Sequence, residues 1–215
     1  MRGALGAYLV VGAVHVLAQL LGHRPTADLT QLLVMPLLAV ALLAGTSTPR
    51  PRLVRWVLLG LLFSWLGDSV PRLLAGDAAF LAMVGCFLLA QLVYAGAFWP
   101  LRERSVLRRP VVLLPYLAAA IAIILLCAPR AGILLPAIVV YAGAIVVMAV
   151  LATGLGRLGG IGAAVFVLSD ALIALNAFGV LTLPAHGAWV MVTYLAAQLM
   201  LVLAVLQQDQ VGARD

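Results

Sequence analysis

Charged residues are scarce in this chain, and lysine is missing altogether. Asp, Glu, Lys and Arg together make up 9% of the 215 residues, and all 13 strongly basic residues are arginines. A soluble domain has about 25% charged and about 45–50% apolar residues, whereas 66% of this chain is hydrophobic. The composition therefore excludes a soluble globular protein and leaves no room for a separate soluble domain.

The sequence also lacks the residue patterns of several kinds of catalytic and binding site. There are two cysteines, both in apolar runs, and three histidines. No His, Asp and Glu cluster at metal-ligand spacing, so we expect no metal site. Neither a Gly-x-Ser-x-Gly elbow nor a phosphate-binding loop occurs. In a soluble protein a net charge of +6 would indicate nucleic acid; here we expect no nucleic-acid partner, and arginine loops that meet anionic lipid head groups instead.

The most prominent feature of the sequence is a series of long apolar runs. Eight of them can be drawn, at residues 4–21, 29–46, 53–74, 78–99, 110–128, 132–153, 158–181 and 187–206. Helices satisfy their own backbone hydrogen bonds, which lipid cannot do, and about 20 residues cross a bilayer. We predict an all-α, polytopic bundle of eight transmembrane helices that forms a single domain over residues 1–215.

The arginines are distributed unequally between the two ends of these runs. One set of ends holds Arg2, Arg50, Arg52, Arg55, Arg102, Arg104, Arg108, Arg109, Arg157 and Arg214, and the opposite set holds Arg24, Arg72 and Arg130. Positively charged loops stay in the cytoplasm, so both termini are predicted to be cytoplasmic. The all-arginine, alanine-rich composition is typical of a multi-pass protein of the cell membrane, here a bacterial inner membrane.

Two aspartates lie inside apolar runs. Asp68 is thirteen residues beyond Arg55 and Asp170 is thirteen residues beyond Arg157, which places both roughly 20 Å from the cytoplasmic end. An ionisable side chain at membrane depth is costly and indicates function. We expect the pair to share one site, with no arginine near the depth of either. Two adjacent carboxyls hold one proton between them, as an acid and a base.

A few polar side chains accompany the aspartates in the spans. As substrate-binding candidates we take Gln31, Ser64, Gln91, Tyr94, Ser169, Asn176, Tyr194 and Gln198. Their spacings of four or seven residues indicate polar stripes on common helix faces, although such residues often only bond neighbouring helices. Ala-Gln-Leu at 90–92 recurs at 197–199, which predicts two parallel four-helix repeats.

Several elements occur in a characteristic order. They are residues 29–38, Gly67-Asp68, residues 80–91 with Tyr94 and Phe98, residues 162–170, and Tyr194 with Gln198. In these elements, which cover helices two to four, seven and eight, the chain resembles the YhhN-like lysoplasmalogenase family of eight-span membrane proteins. Two positions depart from the family pattern: Gln31-Leu32 stands where Lys-Pro is usual, and Gln91 where His is usual.

The resemblance implies hydrolysis of the vinyl ether bond of lysoplasmalogens, lysophospholipids that lie in the bilayer. Asp170 is the expected general acid because its flanks are more apolar, and Asp68, which is closer to Arg72, is the expected ionised partner; the reverse assignment stays open. This mechanism needs no cofactor. Two other functions fit the same residues: a proton-coupled transporter and a non-catalytic lipid-binding protein. The oligomeric state has no signature in the sequence.

Overall fold

Most of the described residues are helical. The computed structural model describes the backbone of residues 1–212 and their side chains except at positions 110, 211 and 212; Arg214, which the charge bias places in the cytoplasm, lies outside the described residues. Within residues 1–212 no strand occurs, and the α-helices are α1 Arg2–Leu20, α2 Arg24–Gly45, α3 Arg52–Ser69, α4 Gly76–Phe98, α5 Pro110–Ala131, α6 Leu135–Ala152, α7 Arg157–Ala177 and α8 His186–Gly212. The predicted all-α class is confirmed.

Seven stretches of the described residues are long and apolar enough to cross a membrane. The fifth of them, Val111–Leu155, has 45 residues, about twice the length that one crossing needs. It contains α5 and α6, which pack against each other and are joined by a short 3-10 turn at Gly132. A multi-pass membrane protein is supported, whereas the eight spans, the cytoplasmic termini and the parallel repeat stay predictions.

The helices form two compact units. One contains Met1–Ala97 and Val202–Asp215, and the other contains Phe98–Leu201. The boundaries fall inside α4 and α8, so these helices contribute to both units. The prediction of a single transmembrane domain concerns how the units join, and it stays a prediction.

In the first unit, α1 packs on α2 and α2 packs on α3. A glycine lets α3 approach α4 closely: a Cβ added to Gly60 would lie 2.3 Å from Cε1 of Tyr94, whose side chain is completely buried. No hydrophobic driving force brings helices together inside a membrane, so close packing matters. Small residues of this kind let the backbone of one helix pack against a side-chain ring of its neighbour. Gly60 is therefore a packing requirement for Tyr94.

Replacing Gly60 by Ala is expected to destabilise the protein by about 1–3 kcal/mol, because the new methyl group overlaps the buried ring of Tyr94. Thermal unfolding of the purified variant in detergent measures the loss. Gly85→Ala in α4 is the matched control, since an added Cβ there meets nothing within 4 Å. Equal melting temperatures for the two variants would contradict this account of the contact.

In the second unit, α6 packs against both α5 and α7. Contact between α7 and α8 again depends on a glycine: a Cβ at Gly162 would lie 2.8 Å from the Cβ of Met200 and 3.2 Å from the Ala197 carbonyl oxygen. One turn further along α7, Phe166 meets the ring of Tyr194 edge to face, with centroids 5.7 Å apart. This packing fixes the face of α7 that carries Ser169.

Candidate active site

Asp68 lies in the last turn of α3 and is buried, with 7% of its surface exposed. The residue before it, Gly67, has no side chain to separate α3 from α4: a Cβ there would lie 2.8 Å from the ring of Phe87. Ser64, one turn earlier, is fully buried. The predicted Ser64–Asp68 face therefore points into the first unit and is lined by an aromatic ring.

Gln31 of α2 holds the Asp68 carboxylate. Its Nε2 donates a hydrogen bond to Asp68 Oδ1 at 3.0 Å, while its Oε1 accepts one from the guanidinium of Arg72. The two helices are also joined next to this contact, where Trp65 Nε1 donates to the Leu32 carbonyl oxygen at 2.9 Å. Because both ends of the Gln31 amide are used, its orientation is fixed and its N–H group faces the carboxylate.

Arg72 completes a chain of polar contacts in the first unit. Its Nε donates to the main-chain oxygen of Asp68 at 3.0 Å, and its guanidinium also pairs with the carboxylate of Asp28. The order of contacts is thus Asp28, Arg72, Gln31 and Asp68. The expectation that no arginine lies near Asp68 is wrong: Arg72 follows it by one helical turn, so its long side chain folds back toward Asp68.

Two tyrosines and a glutamine add to these surroundings. Tyr94 and Gln91 on α4 are completely buried, and Tyr8 on α1 has 2% of its surface exposed. The phenol of Tyr8 lies close enough to Asp68 and Tyr94 to interact with both electrostatically. Helices α1 to α4 therefore all supply polar groups to the interior of the first unit.

Asp170 on α7 is half-buried in the second unit and accepts a hydrogen bond from α6. Tyr141 Oη donates to Asp170 Oδ2 at 2.6 Å. Ser169, its neighbour in the chain, is fully buried and donates instead to the Val190 carbonyl oxygen of α8 at 3.1 Å. Adjacent helical residues point about 100° apart, so the two side chains serve different neighbours: Ser169 joins α7 to α8, and Asp170 faces α6.

The other candidates of the second unit divide into two groups. Tyr194 and Gln198 are buried one turn apart on α8, and Tyr194 contacts Phe166. Asn176 is exposed near the end of α7, and its Oδ1 accepts a hydrogen bond from Thr182 Oγ1 at 2.7 Å. Asn176 therefore lies on the same face of α7 as Ser169 by spacing, but at its exposed end, where it bonds the loop that follows α7.

Of the candidates in the first unit, Gln31 contacts Asp68 directly, and Ser64, Gln91 and Tyr94 are buried in the same unit. The structure places Asp170, Ser169, Tyr194 and Gln198 in the second. The idea that both aspartates share one site stays a prediction. Sequence reasoning did not select Tyr8, Asp28 or Tyr141 as site residues, because they lie on other helices than Asp68 and Asp170. Arg72, four residues after Asp68, was expected to lie closer to Asp68 than to Asp170, but its contacts with Gln31 and Asp28 were not predicted.

Chemically, each unit presents a carboxyl group held by a side-chain donor from a neighbouring helix. The donor is an amide linked to a cation at Asp68 and a phenol at Asp170. Such groups accept, hold and deliver protons, which suits general acid–base chemistry.

Comparison with known proteins identifies the family of this chain. No curated protein and no solved structure matches the chain significantly. The sequence model of the YhhN family matches residues 26–205. That range contains Gln31, Asp68, Tyr141 and Asp170. Since the match covers most of its length, the chain belongs to the YhhN family.

Proposed function

We propose that this protein is a membrane hydrolase that cleaves the vinyl ether bond of lysoplasmalogens, releasing a fatty aldehyde and a glycerophospho-base. Membership of the YhhN family supports a function of this kind. The proposed acid–base chemistry is supported by the carboxylate of Asp68, which is buried in an apolar stretch and accepts a hydrogen bond from Gln31. A second held carboxyl, that of Asp170, supplies the other half of an acid–base pair.

The chemistry begins with protonation of carbon. A carboxylic acid gives its proton to the β-carbon of the vinyl ether, and the C=C electrons form the new C–H bond. The resulting oxocarbenium ion is stabilised by the second, ionised carboxyl group. Water then adds to the cationic carbon and loses its proton to that carboxylate. Collapse of the hemiacetal breaks the C–O bond and releases the aldehyde and the alcohol. One proton passed between the carboxyls resets them.

In this proposal Asp68 is the ionised partner and Asp170 the acid. An amide N–H and a nearby guanidinium both stabilise a carboxylate over a carboxylic acid, and Asp68 has both, through Gln31 and Arg72. Asp170 accepts a hydrogen bond from the neutral phenol of Tyr141. The alkyl chain of the substrate lies in the bilayer, and Gln91, Tyr94, Tyr194 and Gln198 are proposed to bind the glycerol and phosphate.

Aldehyde release from purified lysoplasmalogen by the purified protein tests the proposed reaction. In D₂O the aldehyde is expected to carry one deuterium on its α-carbon, because that hydrogen comes from the carboxylic acid. Authentic aldehyde incubated with the protein controls for later exchange, and the 1-acyl lysophospholipid controls for ester hydrolysis. Solute flux into liposomes without aldehyde release would instead identify a proton-coupled carrier and overturn the proposal.

Replacing Tyr141 by Phe is expected to lower the rate of aldehyde release about ten-fold, because Asp170 loses a hydrogen bond that orients its carboxyl group. The initial rate at saturating substrate measures the effect. Tyr116→Phe on α5 is the matched control and is expected to keep the wild-type rate. An unchanged rate in Tyr141→Phe would show that the contact with Asp170 serves packing alone.

A further inference from the structure

A charged hollow lies at the start of α3, at the opposite end of that helix from Asp68. It is an open hollow of about 310 Å³ that is lined by Arg52, Arg55, Trp56 and Leu59. The four residues follow one another at helical spacing along one face of the first two turns. Arg52, Arg55 and Leu59 are exposed and Trp56 is half-buried, so the hollow is open to the surroundings of the helix.

Within the described residues, no acidic side chain forms an ion pair with Arg52 or Arg55. The first turn of α3 contains no Asp or Glu, and within residues 1–212 the ion pairs involve Arg72, Arg102 and Arg108. The N-terminal end of a helix is itself partly positive. Two exposed guanidinium groups at that end therefore attract an anion.

The rest of the hollow is apolar and rigidly placed. The guanidinium carbon of Arg52 lies 5.6 Å from the centroid of the Trp56 ring. That ring is seated on Gly96 of α4, where an added Cβ would lie 2.9 Å from Cζ3. Leu59 continues the same face toward the middle of α3, with 40% of its surface exposed. A ligand that fits has a negative head and a hydrocarbon tail.

We propose that this hollow binds an anionic phospholipid, with its phosphate on Arg52 and Arg55 and its acyl chain along Trp56 and Leu59. Arginine binds phosphate through paired N–H groups, and α3 belongs to an apolar stretch long enough to cross a bilayer. A zwitterionic lipid is disfavoured because its cationic group would lie beside two guanidinium groups, with no carboxylate among the four lining residues. This site is separate from the proposed hydrolytic one and does not depend on it.

Native mass spectrometry of the purified protein, titrated with phosphatidylglycerol or phosphatidylcholine, tests the site. Phosphatidylglycerol is expected to bind more tightly. Its affinity falls roughly five-fold in Arg55→Gln and roughly thirty-fold in the double variant Arg52→Gln/Arg55→Gln, from the usual contribution of each arginine near an anionic lipid. If the double variant cannot be purified in a folded form, the single variant Arg55→Gln tests the proposal alone.

The double variant Arg102→Gln/Arg108→Gln is the matched control. It removes the same charge, and Arg102 also lies over a tryptophan, 5.4 Å from the ring centroid of Trp99, but both arginines are paired with Glu103. Its affinity for phosphatidylglycerol is expected to stay at the wild-type value. Equal losses in the two double variants, no loss in Arg55→Gln, or displacement of the lipid by millimolar inorganic phosphate would overturn the proposal.

Discussion

Replacing Asp68 or Asp170 by Asn is expected to lower aldehyde release by about 10²–10⁴-fold, the usual contribution of a general acid or base. Asn keeps the size of Asp and can still accept the hydrogen bonds from Gln31 and Tyr141. It can neither deliver a proton to carbon nor carry the negative charge that stabilises the oxocarbenium ion. The rate is measured with equal amounts of folded protein.

Asp77→Asn is the matched control for both variants. Asp77 is an exposed carboxylate in the first turn of α4, so its loss is expected to leave the rate unchanged. Near-wild-type turnover in either Asp68→Asn or Asp170→Asn would remove that residue from the mechanism. Variants that fail to fold while no turnover is ever observed for the wild type would favour a structural role for the aspartates.

Replacing Gln31 by Leu is expected to lower the rate of aldehyde release about 10- to 150-fold, the range that a hydrogen bond to a charged group represents. The change removes the donor to Asp68 and breaks its connection to Arg72. Both changes leave the carboxylate of Asp68 less firmly positioned. The initial rate at saturating substrate, compared with the substrate concentration at half-maximal rate, separates this effect from a loss of substrate binding.

Gln19→Leu is the matched control for Gln31. Gln19 is also half-buried in the first unit and hydrogen-bonded, its Nε2 lying 2.9 Å from His15 Nε2, but it has no contact with Asp68 in the bonds described here. Its replacement is expected to keep the wild-type rate. A second variant, Gln31→Lys, restores a donor and is expected to recover part of the rate; equal rates in Gln31→Leu and wild type would contradict the positioning role.

The helical segments and the two aspartates could be read from the sequence because they depend on composition along the chain. Runs of apolar residues without charge predict helices directly, and a carboxylate inside such a run is visible at once. The sequence also divides Val111–Leu155 into two runs, at residues 110–128 and 132–153. These runs correspond to α5 and α6, and Gly132, which adopts a positive φ of +50°, starts the turn between them.

Side-chain partners between helices could not be predicted in the same way. Arg72 was assigned to the far ends of the spans by charge counting, which ignores the reach of an arginine side chain. Tyr141 belongs to α6, and no spacing within that helix relates it to Asp170 on α7. Ser169 and Asn176 share a face by spacing, but α7 ends at Ala177, so Asn176 caps a loop. Contacts of this kind depend on which helices become neighbours.

Cooperation between the two carboxyls is tested most directly by the rate of aldehyde release in the double variant Asp68→Asn/Asp170→Asn. The measurement is made beside both single variants at an enzyme concentration high enough to follow residual turnover. Groups that act as one unit show losses that do not multiply. We predict that the double variant is no slower than the slower single variant. A loss equal to the product of the two single losses would show that the aspartates act independently, and would contradict the acid–base pair.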